Sequence, residues 1–377
     1  MKFNTKCVHG SGRPDSTGAI SPAIYMSSTF THPGLGETTG FQYTRESNPT
    51  RDRLETLIAG LEEGTDAIAF SSGMAAVDAV FHLFSPGDHV ILGDDLYGGS
   101  IRLFTNIYEK NGVEFTYVGT SDLDAVQAAF KPNTKAVYIE TPTNPMMEIT
   151  DVRALSKMAH DRNALVIVDN TFLSPYFQKP LHLGADIVVH SGTKFIGGHH
   201  DVISGFTIVK DDELAAQLRL IYKTVGACLS AFDSWLVIRG IKTLALRMEQ
   251  HQKNAIALAE WLKQEPKVTK VLFPGLSEHP GYEVNKSQTT GFGGMLSFEV
   301  DSEETAKQVL EGIQLIQFAE SLGGTESLLT YPVTQTHPDL KPEDAERKGI
   351  TRRLLRLSVG IEDTDDLIAD LAQAFNK

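Results

Sequence analysis

Between residues 67 and 209 the chain repeats one short theme: an apolar run of strand length, a turn of small polar residues, then an amphipathic stretch. The runs fall at 67–70, 89–92, 113–118, 136–139, 165–168, 187–189 and 205–209, with amphipathic segments near 74–84, 100–111, 122–130 and 151–162. Nearly continuous apolar strands alternating with helices predict a mostly parallel sheet, because parallel neighbours need crossover helices that bury both faces. The fold class is therefore α/β, with seven strands in the large sheet.

The flanks read differently. Residues 1–47 are rich in Gly, Ser, Thr and Pro, with apolar islands at Ala19-Ile20 and Ala23-Ile24-Tyr25-Met26 but no sustained periodicity. An ordered arm without its own core packs on something else, and a neighbouring subunit is the expected support. A domain over 48–236 follows. A helical stretch over 229–264, with Leu236, Ile238, Leu244, Leu246, Ile256, Leu258 and Leu262 as its apolar positions, then connects to a smaller α+β unit within 237–377. That unit has strands at 268–273, 294–300, 315–318 and 354–359 and helices at 302–311 and 364–375, the last with Thr364 as its expected N-cap.

Composition narrows the partners. The 377 residues carry a net charge of −14 without a long Lys/Arg run, which disfavours nucleic acid and anionic lipid. Cys7 and Cys228 form no disulfide framework and no C-x-x-C pair, as expected in a reducing compartment. Residues 1–6 have no apolar stretch of signal-peptide length and no segment reaches membrane-span length, so the expected location is cytoplasmic. His199-His200-Asp201 resembles a metal cluster, but adjacent histidines in a strand face opposite ways and no third ligand set is apparent; no metal is expected. Cys228 has no adjacent base, and Trp235 with its apolar neighbours reads as core.

In open α/β sheets ligands sit beyond the carboxyl ends of the strands, so the polar residues that follow the apolar runs carry the information. Ser71-Ser72-Gly73-Met74-Ala75-Ala76 enters a helix and offers free N–H groups to a phosphate, although any tight strand-to-helix turn favours Ser and Gly. Asp169-Asn170-Thr171 ends a buried strand; alone it fits a helix cap or a magnesium ligand as well. His190-Ser191-Gly192-Thr193-Lys194 sets two hydroxyls and a lysine on a tight loop, and the prolines of Glu140-Thr141-Pro142-Thr143-Asn144-Pro145 fix a loop where Asn144 can face a ligand. A cofactor with a phosphate, a cationic ring nitrogen and an aldehyde uses all four at once. Pyridoxal 5′-phosphate is that cofactor.

The chain resembles the transsulfuration enzymes of cysteine and methionine metabolism over nearly its whole length. The resemblance rests on these four strings together with Tyr43-Thr44-Arg45, Asn48-Pro49-Thr50-Arg51, Asp95-Leu96-Tyr97-Gly98-Gly99, Glu320-Ser321-Leu322-Gly323-Gly324 and Leu355-Arg356-Leu357-Ser358-Val359-Gly360, in family order. It implies the aminotransferase-like fold (fold type I). Lys194 is then expected to hold the cofactor as a Schiff base and to move protons, with Tyr97 stacked on the ring as its catalytic companion. Asp169 pairs with the ring nitrogen and Asn144 approaches the phenolic oxygen. Gly73, Met74, Ser191 and Thr193 hold the phosphate. Tyr43 and Arg45 reach it from the neighbouring subunit of a homotetramer built as a dimer of dimers. Arg356 clamps the substrate carboxylate, Ser321 positions it or Lys194, and Arg102 and Glu320 face the distal part of the substrate.

The expected reaction is α,γ-elimination of L-cystathionine to cysteine, 2-oxobutanoate and ammonia, with some β-elimination. The alternatives are a β-lyase, a γ-synthase joining an O-acylhomoserine to cysteine, and, in another class, a non-catalytic scaffold. Two positions depart from the family pattern: His200, where a small residue is usual, and Gln42, a Glu in some relatives.

Overall fold

A computed structural model describes residues 1–12, 14, 16–337 and 342–376. Each of the seven apolar runs forms a strand: β1 (Asp66–Phe70), β2 (His89–Gly93), β3 (Glu114–Val118), β4 (Thr134–Glu140), β5 (Leu165–Asp169), β6 (Ile187–Ser191) and β7 (Gly205–Val209). Their order is β1-β7-β6-β5-β4-β2-β3. Strands β2 to β6 pair in parallel, whereas β7 runs antiparallel to both β6 and β1. Successive side chains alternate faces. Val137, Ile139, Val166 and Val168 therefore join one core, while Ala136, Tyr138 and Ile167 join another on the opposite face.

The second sheet contains β8 (Val268–Leu272), β9 (Met295–Val300), β10 (Gln317–Phe318), β11 (Leu328–Thr330) and β12 (Leu354–Ser358), in the order β10-β11-β12-β9-β8. Helices Leu244–Leu262, Glu303–Gly312 and Thr364–Phe375 bury Leu258, Val309, Leu371 and Phe375 against it. Strand β11 escapes the sequence pattern because three residues are too few to show a period.

Several expectations are corrected. The 229–264 stretch is two helices, Ala231–Ile241 and Leu244–Leu262, broken at Lys242-Thr243, where Thr243 leaves helical geometry with ψ 4°. Leu246 and Ile256, assigned to its apolar face, are exposed. Thr364 is the first helical residue and not the cap; Asp363 precedes it, and the Thr364 hydroxyl donates to Asn254 Oδ1. The 100–111 segment is a short helix, Gly98–Leu103, continued by a π turn over Phe104–Tyr108. His199 and His200 lie in a turn, where His200 has φ 56° and His199 Nδ1 contacts Gly197 O, so the strand argument does not apply to them.

The first residues form a helix, Phe3–His9, that buries Cys7 and joins the next helix through a Lys6 Nζ to Gly60 O bond of 3.0 Å. Beyond it Ile20, Met26 and Leu35 are exposed. The helix Pro49–Glu62 starts where Asn48 caps the N–H of Thr50 and Pro49 takes a position needing no donor. The buried Arg51 donates to Leu229 O and Thr44 O, which ties the arm to the main body.

Candidate active site

The cavity sits where ligands are expected in such sheets, beyond the carboxyl ends of β4, β5 and β6. It encloses about 340 Å³. Gly73, Met74, Tyr97, Arg102, Asn144, Asp169, Ser191, Thr193, Lys194, Glu320, Ser321 and Arg356 all line it. Tyr43 and Arg45 do not: Tyr43 is exposed, and Arg45 lies 5.6 Å from its ring and donates to Lys223 O.

Two carboxylates end adjacent strands. Glu140 on β4 and Asp169 on β5 are register partners, so the sheet itself places them side by side. Asp169 Oδ1 accepts from the Thr171 N–H at 3.0 Å and from its hydroxyl at 2.5 Å, while Oδ2 receives only the Tyr138 hydroxyl at 3.4 Å. Burial raises both carboxyls above their usual range. Glu140 is driven further by the neighbouring Asp169 charge, while the Thr171 bonds moderate Asp169. Glu140 is thus the member of the pair pushed further upward, and its Oε2 accepts the Tyr97 N–H at 3.0 Å. The Tyr97 ring stands at the cavity edge with the small Gly99 beside it; a Cβ on Gly99 would lie 2.4 Å from Tyr97 Cε1.

Lys194 arrives on the loop after β6. Its Nζ donates to Ser321 Oγ at 2.9 Å. Burial, reinforced by Arg356, pulls the amine down to about 8, and Glu320 acts in the opposite sense. Arg356 on β12 is buried and held by Nη1 to Asn144 Oδ1 at 2.8 Å and by Nη2 to Ser321 O at 3.0 Å and Thr330 Oγ1 at 3.1 Å. Its Nε is buried without a partner, a donor left for a ligand. Burial lowers its guanidinium to about 10, so it stays charged at neutral pH.

The helix Gly73–Phe81 begins at the cavity. Ser72 caps the N–H of Ala75, leaving the N–H groups of Gly73 and Met74 without intrahelical acceptors. Gly73 is required because a Cβ there would fall 2.8 Å from Ser191 Cβ. The Thr193 hydroxyl is within bonding distance of the backbone N and O of Ser204, so it is already engaged.

This donor set fits pyridoxal phosphate. A cationic ring N–H would satisfy the under-bonded Asp169 Oδ2, an amine of lowered basicity stands opposite, and a helix N-terminus is positioned for the phosphate. Sequence reasoning missed two members. Glu140 carries no role in the sequence reading, and Thr171 enters it only as the second residue after Asp169, although its hydroxyl also accepts the Ser191 N–H at 2.8 Å. Register pairing between strands was the signal, and it is not written in either segment alone.

Fold and site together define a pyridoxal-phosphate enzyme of the α/β type. The chain belongs to the Cys/Met metabolism PLP-dependent enzyme family, whose model matches residues 4–376. It is 48% identical over 376 residues to a cystathionine β-lyase of Lactococcus lactis, covering 100% of this chain and 99% of that one. It is 50% identical to a cystathionine γ-synthase of Haemophilus influenzae, covering 97% and 95%. The crystal structure of a cystathionine γ-lyase from Lactobacillus plantarum, complexed with L-serine, superposes with a TM-score of 0.98 at 46% identity, covering 100% of this chain and 99% of that chain. Relatives of comparable similarity are thus named for three different activities.

Proposed function

We propose that the protein is a γ-lyase that cleaves L-cystathionine to cysteine, 2-oxobutanoate and ammonia, with some β-elimination. Bound in the cavity, pyridoxal phosphate supplies an aldehyde for the substrate amine and a ring that accepts the negative charge left at Cα. Asp169 holds the ring nitrogen in its protonated form, and the start of the helix Gly73–Phe81 holds the phosphate. Arg356 takes the substrate α-carboxylate, which supplies both the missing counter-charge and the acceptor for its free Nε. Lys194 Nζ moves the Cα proton and then a Cβ proton, a task suited to an amine poised near 8. The sulfur on Cγ then departs as cysteine, and water completes the conversion to the keto acid.

One observation carries the choice of γ chemistry. Glu320 and Arg102 line the same cavity as Lys194, and the Glu320 charge bears on both Lys194 and Arg356. A charge that favours the ammonium of Lys194 supports a base that must hold and hand on more than one proton, which γ-elimination demands. Opposite charges at Arg102 and Glu320 also match the distal zwitterion of cystathionine. Incubation with an O-acylhomoserine and cysteine separates lyase from synthase: little cystathionine should accumulate, and net synthesis would assign the protein to the synthases.

A further inference from the structure

Behind the cavity lies a pair of ionisable residues that no role above uses. His190 and Glu62 are 1% and 0% exposed in their side chains, and His190 Nε2 lies 2.5 Å from Glu62 Oε1. Glu62 Oε1 also accepts the Asn170 Nδ2 at 3.0 Å, and Asn170 in turn bonds the backbone of Ser174 and Gln178 and the side chain of Gln178. His190 precedes Ser191, and Asn170 follows Asp169. The neighbours of two cavity residues therefore converge on one carboxylate from the far side of their strands.

All the pairing runs through Glu62 Oε1 and His190 Nε2, since Glu62 Oε2 and His190 Nδ1 are buried without partners. A fully buried acid here meets an imidazole at the distance of a charge-assisted hydrogen bond, with the amine of Lys179 bonded to Leu61 O close by. Such a pair is weak evidence for stability and calls for another reason. Asp169 supplies it: burial pushes its carboxyl up, and the charge of His190 is among the effects that bring it down.

We propose that His190 and Glu62 are positioning residues that keep Asp169 ionised toward the cofactor ring nitrogen. Glu62 holds the His190 ring in place through their 2.5 Å contact, and the bond from Glu62 to Asn170 fixes the turn that aims Asp169. Neither residue touches the cavity, so they act only through Asp169. The inference rests on the cofactor assignment, whose failure would show separately as a wild-type protein that takes up no pyridoxal phosphate.

The test uses protein stripped of cofactor and reconstituted with pyridoxal phosphate labelled with 15N in the ring, as wild type, Glu62→Gln, His190→Gln, Asp169→Asn and Glu62→Gln combined with Asp169→Asn. Each Gln variant should bind the cofactor about tenfold more weakly, the equivalent of one pKa unit of support lost at Asp169. The ring-nitrogen resonance of the bound cofactor should move toward the unprotonated position. In the Asp169→Asn background, Glu62→Gln should cost no further affinity. An unmoved resonance with unchanged affinity overturns the proposal, and so does an equal loss in the Asp169→Asn background, the mark of a merely structural pair. Melting curves of the stripped proteins guard the comparison: if one Gln variant fails to fold the other carries the test, and failure of both to fold also overturns the proposal.

Discussion

The amine of Lys194 donates to the hydroxyl of Ser321 over 2.9 Å, joining residues 127 positions apart in the chain. Ser321 reaches this position with φ 87°, a conformation that costs a non-glycine residue on the order of 1–3 kcal/mol. The same residue offers its carbonyl to Arg356. Strain at Ser321 thus positions the proposed base and the proposed carboxylate clamp together. Replacing Lys194 by Ala should lower turnover by at least about 10³-fold and abolish covalent retention of the cofactor. Ser321→Ala should lower kcat only about 3- to 10-fold, the worth of one positioning hydrogen bond. Steady-state kinetics and denaturing gel filtration after borohydride reduction read both; a Lys194→Ala protein that keeps turnover would remove Lys194 from its role.

The basicity of Lys194 gives a prediction with a definite sign. In protein stripped of cofactor, its reactivity toward an acylating reagent should rise through pH about 8, below the ordinary lysine range, because burial disfavours the ammonium. Glu320 favours the ammonium, so Glu320→Gln should move the midpoint to lower pH. A midpoint that stays near that of an exposed lysine, or rises in Glu320→Gln, contradicts this picture.

Tyr43 and Arg45 lie outside the cavity of their own chain, as they would if they served the cavity of a second copy. Mixing inactive Arg45→Ala with inactive Lys194→Ala should then restore activity, because a mixed dimer contains one intact site. With random exchange the recovery approaches about a quarter of wild type. Mixed oligomers verified by mass that remain inactive would rule out shared sites.

Much of the site was legible because cofactor chemistry sets residue types directly after strands. Lys194, Asp169, Ser191 and Gly73 could be picked out from short strings, since each follows an apolar run that ends at the ligand side of the sheet. Glu140 and Thr171 were not legible as partners. Their roles arise from the register of β4 against β5 and from a hydroxyl that bridges β5 to β6. The second sheet was less visible than the first: β11 has three residues, and the helix break at Lys242-Thr243 has no Pro to announce it and only Gly240, itself inside the first helix, nearby. The helices Pro49–Glu62 and Asp212–Val225 were not singled out, although Asn48 and Asp211 cap them as sequence rules anticipate.

Glu320 is the residue on which the choice between elimination modes depends most. Glu320→Ala should lower the proportion of 2-oxobutanoate relative to pyruvate formed from cystathionine, while β-elimination, which removes no proton from Cβ, persists. Chromatography of the derivatised keto acids reads the ratio, and an unchanged ratio would show that Glu320 does not govern it.

The most direct measurement follows the products of wild-type protein, loaded with pyridoxal phosphate and incubated with L-cystathionine alone. The account predicts mainly 2-oxobutanoate and cysteine in equal amounts, with a minor share of pyruvate and homocysteine. Pyruvate and homocysteine as the main products would contradict it and make the protein a β-lyase.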